Sequence, residues 1–288
     1  MTRLPITKTP KVYVGGAFIR SESARTFPLT NPAGDFIANI PQCSRKDLRN
    51  AVEAAAKAGP GWAKRTAYNR GQIIYRLGEM LEARRVELAE ALRLGGSSAA
   101  AAAKEVTATI DRLIYYAGWA DKYEQVLSSV NPVASPYFNF TVSEPMGIIG
   151  LLAPQEAPLL ALISLLAPAI TSGNTVVMLA SSTQPYPAII LGEMLATSDL
   201  PGGVVNLLTG LRAELIPTFA THTHLRALGG VANRVEQAAL KLGAAESVKR
   251  VGLFSAEQPI NWFSSEHQSV DALRAYLEFK TVWHPMGG

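Results

Sequence analysis

From Pro145 onward the chain alternates short apolar runs with longer helix-like ones, and this rhythm constrains the fold more than any other feature. GIIGLLA, NTVVMLA, GVVNLLTG, HLRALGG and VKRVGLF read as strands. PLLALISLLAPAI, PAIILGEMLAT, AELIPTFAT and NRVEQAALKLG read as the helices between them. Short apolar strands separated by helices imply βαβ units and a parallel sheet covered on both faces. Such connections are right-handed almost without exception, which leaves a doubly wound, Rossmann-like α/β layout.

The 288 residues are 48% hydrophobic and 17% charged, enough for a sizeable core. The 27 Lys and Arg are dispersed among 23 Asp and Glu, for a net charge of +4. No basic run interleaved with aromatics occurs, so nucleic acid is not an expected partner. The single cysteine, Cys43, leaves no partner within the chain for a disulfide and excludes metal sites built on cysteine pairs. MTRLPITKTPKVY carries no apolar signal segment. The longest apolar run, Ala157 to Ile170, is too short to span a bilayer and contains Pro158 and Pro168. A cytoplasmic location without membrane association is expected.

Residues 1–10 read as a loose leader. KVYVGGAFI and FIANIP read as strands, with NPAGD as a turn between them. SRKDLRNAVEAAAKA starts a helix, with Ser44 as N-cap and Asp47 placed to answer it. YNRGQIIYRLGEMLEARRVELAEALR and AAAAKEVTATIDRLIYYAGWADKYEQVL are amphipathic at helical spacing. SSVNPVASP has the composition of a linker. YFNFTVSE then places Phe138, Phe140 and Val142 on one face of a strand, and AYLEFKTVWHPMGG reads as a last strand outside the alternating block. The expected division is a leader at 1–10, N-terminal strands and long helices at 11–135, paired arm strands at 136–144 and 275–284, and a Rossmann-like core at 145–260.

EPMGIIGLLAP, PAITSGNTVV, LPGGVVNLLTG and AYLEFKTV, with TFPLTNPAGDFIANIP and YNRGQIIYRLGEMLEARRVELAEAL nearer the start, resemble the aldehyde dehydrogenase superfamily. The resemblance follows the family's order along nearly the whole chain. It implies a Rossmann-type NAD(P) domain, a catalytic domain with a cysteine nucleophile, and an oligomerisation hairpin. After VKRVGLFSAEQP, where the family begins its catalytic domain, only a short stretch precedes the terminal strand, so that domain is expected to be missing. The pattern is most similar to the non-catalytic C-terminal half of family-16 aldehyde dehydrogenases, here expected as a free-standing chain.

The resemblance also places the site positions, and each departs from the family. Glu156 stands in APQEAP where the family has an asparagine whose amide donates to an oxyanion. An ionised carboxylate cannot donate and repels developing negative charge, so Glu156 reads as a lost catalytic position whose remaining role is to suit a helix dipole from its first turn. The family's ribose-binding lysine and glutamate fall on Leu179 and Ser182. Gly229 and Gly230 remain from its glycine-rich turn, with Arg234 at the later glycine position. There a helix N-terminus still presents N–H groups to an anion, and Arg234 adds a charge that attracts phosphate, but an ordinary strand–helix turn is the reading preferred. The general-base glutamate falls on Phe254, whose ring moves no proton. Cys43 lies far ahead of the nucleophile's place; a helix N-terminus nearby lowers a thiol pKa, but an incidental thiol is the reading preferred. His222 and His224 face one way if their segment is a strand, yet spacing supplies no third ligand, so no metal is expected.

The combined expectation is a catalytically inactive aldehyde dehydrogenase-like protein. It would act as an accessory or structural subunit, its arm strands pairing with a full-length aldehyde dehydrogenase or with a second copy of the chain. No cofactor is expected, NAD(P) binding surviving weakly at most. The rival readings are an NAD(P)-dependent enzyme with an atypical site and a nucleotide-binding module.

Overall fold

The computed structural model describes residues 8–287, so most of the expected leader, residues 1–7, lies outside the described residues. Lys8 is tied down, its ammonium donating to Glu193 at 2.8 Å and to Glu87 at 3.1 Å.

KVYVGGAFI is a hairpin rather than one strand. Gly15 (φ 63°) and Gly16 (φ 85°) take the left-handed conformations that reverse the chain between β1 (Val12–Val14) and β2 (Ala17–Ile19). A second hairpin, β3 (Thr26–Thr30) and β4 (Phe36–Pro41), closes over the NPAGD turn. Helix α1 (Arg45–Ala63) begins with the expected capping box: the Ser44 hydroxyl accepts from the Asp47 N–H, and the Asp47 carboxylate accepts from the Ser44 N–H.

The long amphipathic stretch that follows is two helices, α2 (Ala67–Ala83) and α3 (Arg85–Leu94). The chain leaves helical geometry at Arg84 (φ −115°, ψ 23°), where the guanidinium pairs with Glu87 and with Glu193. Helix α4 (Ala99–Trp119) and the short α5 (Tyr123–Leu127) come next. The segment expected as a linker contains a strand, β5 (Ser129–Asn131). It forms because β6 (Tyr137–Pro145) offers it a free edge, pairing Val130 with Phe140.

The alternating block folds as its rhythm predicts: β7 (Ile148–Leu152), α6 (Leu160–Thr171), β8 (Thr175–Leu179), α7 (Tyr186–Leu195), β9 (Val205–Leu208), α8 (Arg212–Thr221), β10 (Leu225–Ala232), α9 (Arg234–Ala245) and β11 (Arg250–Ser255). Residues 256–276 then make a single 3-10 turn, Ser265–His267, and α10 (Val270–Arg274) before β12 (Leu277–Pro285).

The main sheet runs β11-β10-β7-β8-β9-β1-β2. Its first five strands are parallel and β1 and β2 are antiparallel. One face packs on α1, α8 and α9, around Leu48, Phe219 and Leu240. The other carries α2, α3, α4, α6 and α7. Every residue of α6 is buried, which accounts for its apolar composition on all sides. The arm strands form a separate sheet, β12-β6-β5, with β6 and β12 antiparallel from Tyr137↔Pro285 to Pro145↔Leu277. Phe138, Phe140 and Val142 share a face as expected, opposite His284, Val282 and Lys280.

The chain passes outward from β7 through β8 to β9, then crosses back to β10 on the other side of β7. The carboxyl ends of β7 and β10 therefore flank the topological switch point, where ligands enter open α/β sheets.

Candidate functional site

That crevice is bridged by one side chain that the sequence reading missed. Arg212, the first residue of α8, donates from Nη1 to the Ala153 carbonyl after β7 (3.1 Å) and from Nη2 to the Val231 carbonyl of β10 (2.7 Å). It also pairs with Glu236, Nε to Oε1 at 2.8 Å and Nη2 to Oε2 at 2.9 Å. Both side chains are largely buried, at 12% and 17% exposure. A bidentate fork of this kind is rigid. Burial opposes ionisation of Glu236, but the Arg212 guanidinium and the Asn233 N–H hold its carboxyl below the usual range.

The N-terminus of α9, the place for an anion, is already supplied with acceptors. Asn233 caps the helix through its side chain, and Glu236 accepts from the Asn233 N–H. The Arg234 N–H donates to Glu257 Oε1 at 2.7 Å. The Ser255 hydroxyl and that N–H hold the Glu257 carboxyl below its ordinary pKa. Two carboxylates thus take the N–H groups of Asn233 and Arg234, and the Asn233 side chain takes that of Glu236. Arg234 itself enters the site through its backbone.

Gly229 and Gly230 are explained by packing. A Cβ on Gly230 (φ 112°) would lie 2.0 Å from the Leu152 carbonyl oxygen, so only glycine allows β10 this close to β7. A Cβ on Gly229 would meet the Tyr276 hydroxyl at 2.7 Å.

At the end of β8, Leu179 is fully buried in the core. Ser182 donates, through both N–H and hydroxyl, to Gln155 Oε1 (3.1 and 3.2 Å). The same oxygen accepts from the Thr183 N–H at 3.0 Å and the Ser181 hydroxyl at 2.9 Å. Gln155 therefore staples the loop after β8 to the loop after β7, a second role the sequence reading missed.

Glu156 requires a correction. It lies exposed in the loop ahead of α6 rather than in the first helical turn. The carboxylate at that helix N-terminus is Glu105 of α4, whose Oε1 accepts from the N–H groups of Leu159 (2.9 Å) and Leu160 (3.1 Å). Phe254 on β11 packs edge-on against Trp262 and His267, with centroids 5.8 and 5.6 Å away. Cys43 is fully buried, and burial pushes its thiol up to about 12, so it is not an activated nucleophile. The His222–His224 segment is not a strand: His222 caps the end of α8 and His224 precedes β10 in a turn. Among the described residues no cluster of three metal-ligating side chains occurs.

The donor set at this crevice does not fit a nicotinamide dinucleotide. Glu236 and Glu257 take the Asn233 and Arg234 N–H groups at the α9 N-terminus, Arg212 bridges β7 and β10, and the buried, aliphatic Leu179 stands at the position that the resemblance gives to a ribose-binding side chain.

The sequence model of the aldehyde dehydrogenase family matches residues 18–254. Retinal dehydrogenase 2 of Gallus gallus is 36% identical over 221 residues, covering 75% of this chain and 42% of that protein. The mitochondrial aldehyde dehydrogenase of Sus scrofa is 34% identical over 224 residues, covering 74% and 42%. Among solved structures, a Bacillus cereus aldehyde dehydrogenase in complex with NAD+ superposes with a TM-score of 0.82 at 27% identity, over 86% of this chain and 51% of that one. The chain therefore spans about half the length of these relatives. Fold, order of elements and sequence agree over the same region: the chain belongs to the aldehyde dehydrogenase family.

Proposed function

We propose that this protein is a catalytically silent aldehyde dehydrogenase relative that serves as an accessory or structural subunit of an active, NAD(P)-dependent aldehyde dehydrogenase. The observation that carries the reading is the Arg212–Glu236 pair across the switch point, with Glu257 on the adjoining helix N-terminus. Groups of the chain itself meet the hydrogen-bonding needs that a dinucleotide meets in a working enzyme. Phe254 at the general-base position and a buried, un-ionised Cys43 support the same reading, as does the short passage from β11 to β12 where a catalytic domain is expected.

The arm supports the subunit role. Its sheet exposes Phe138, Phe279, Trp283 and Val130, and apolar strands with open edges call for a pairing partner. The partner is a complete aldehyde dehydrogenase or a second copy of this chain. The test is mild affinity purification of the tagged chain from its own host, followed by native mass spectrometry. A stoichiometric complex with a complete aldehyde dehydrogenase is the expected result. A dispersed monomer that reduces NAD+ when given aldehydes would overturn the proposal.

A further inference from the structure

On the α6 side of the sheet, β10 and β11 place Gly229 and Gly252 in register. Two adjacent glycines leave a bare patch of sheet. The Tyr276 hydroxyl covers Gly229, but a Cβ built on Gly252 meets nothing within 4 Å. Above this patch is a cavity of about 360 Å³, roofed by residues 262–276 and walled by α6 at Leu165 and Pro168. The volume is in the range of small-molecule sites, and the walls are mainly apolar and aromatic. The roof lies beyond the family-matched residues 18–254, while the floor on β10 and β11 and the α6 wall lie within them.

The roof is held firmly. The buried guanidinium of Arg112 on α4 donates to the Trp262 carbonyl (2.9 Å), the His267 carbonyl (2.6 Å), the Gln268 side chain (3.0 Å) and the Ser164 hydroxyl (2.6 Å). The Trp262 and His267 rings are tilted at 39° with centroids 4.8 Å apart and Phe254 stands edge-on to both, so three rings line one side of the cavity. Among the described residues neither the Tyr276 hydroxyl nor the His267 ring has a hydrogen-bond partner, although both line the cavity. Its charged lining groups do not favour an anion. The Arg250 guanidinium is committed to the Ala275 and Leu277 carbonyls and to Glu278, and Glu266 is exposed at the cavity wall.

We propose that this cavity is a binding site for an uncharged, flat aromatic compound of about two rings carrying one hydroxyl. Its rings would lie over Gly252 against Phe254 and Trp262, and its hydroxyl would meet the Tyr276 hydroxyl. The proposal does not depend on the reading of the switch-point crevice.

Isothermal titration of the intact chain with 2-naphthol tests it, with 2-naphthoate as the anionic comparison and thermal melting to verify each variant's fold. Saturable binding of one 2-naphthol per chain is expected, with 2-naphthoate at least tenfold weaker. Gly252→Leu, whose Cβ would meet no protein atom within 4 Å, adds bulk over the bare patch and should weaken 2-naphthol at least tenfold. Tyr276→Phe keeps the packing, removes one hydroxyl and should weaken 2-naphthol about fivefold; if Gly252→Leu does not fold, this variant decides. Absence of saturable binding, unchanged affinity in the folded variants, or equal binding of 2-naphthoate would overturn the proposal.

Discussion

Arg212 and Glu105 are the single residues on which the candidate site most depends, and they set carboxylates to work with opposite pH dependence. Glu236, paired with Arg212, has its carboxyl held below the usual range against the effect of burial. Its contribution is present above the ordinary carboxylate pKa and is lost as pH falls through the depressed value. Arg212→Ala leaves Glu236 without its cation and two carbonyls without a donor. It should cost about 3 kcal/mol near neutral pH by urea denaturation, the penalty shrinking in acid as Glu236 protonates. Glu105 behaves in the reverse sense. Burial raises its carboxyl pKa, and the Leu160 and Leu159 N–H groups only partly oppose that. The folded state holds the proton more tightly than the unfolded chain, so the contribution is fullest below the ordinary carboxylate pKa and declines as pH rises through the folded value. Glu105→Gln keeps the acceptor oxygen and removes the ionisation. Its urea midpoint should gain on the native protein as pH rises above the ordinary carboxylate pKa.

At the scale of elements, what could be read from sequence were features with a local cause. Ser44 and Asp47 announce α1 because a capping box needs only residues three apart. The strands of the core announce themselves because both faces are buried. Breaks and short strands were harder, since their causes lie far along the chain: α2 and α3 part at Arg84, which reaches Glu193, and β5 exists only beside β6. The same holds for residues 262–268, where Arg112 of α4 holds the Trp262 and His267 carbonyls and the Gln268 side chain. Arg112→Ala should free this segment, lowering stability by about 3 kcal/mol and opening a protease-sensitive site within 256–276, detectable by limited proteolysis and mass mapping. Retention of full protease resistance would show that the segment is held by its aromatic packing alone.

At the scale of the whole molecule, the sheet order decides which loops meet, and the switch point between β7 and β10 is the only place where Arg212 can reach both strand ends together. NAD+ titrated to millimolar concentration should produce no saturable heat. The arm sheet stands apart from the core, so its exposed residues should be separable from folding. Trp283, 57% exposed, should tolerate Lys within about 0.5 kcal/mol in thermal or urea unfolding. The same substitution should weaken association in native mass spectrometry, because it places a charge on the surface argued to pair.

The sequence by itself determined the α/β class, the strand–helix order, the α1 cap and the residue types at the expected site positions, because periodicity, capping and residue type are local properties. Only the tertiary structure decided what fills those positions. Gln155 binding Ser181, Ser182 and Thr183, Arg212 spanning β7 and β10, Glu257 on the α9 N-terminus, and Tyr276 over Gly229 all join residues distant in sequence. A buried polar group must find a partner wherever the fold brings one within reach, and no spacing along the chain encodes that meeting.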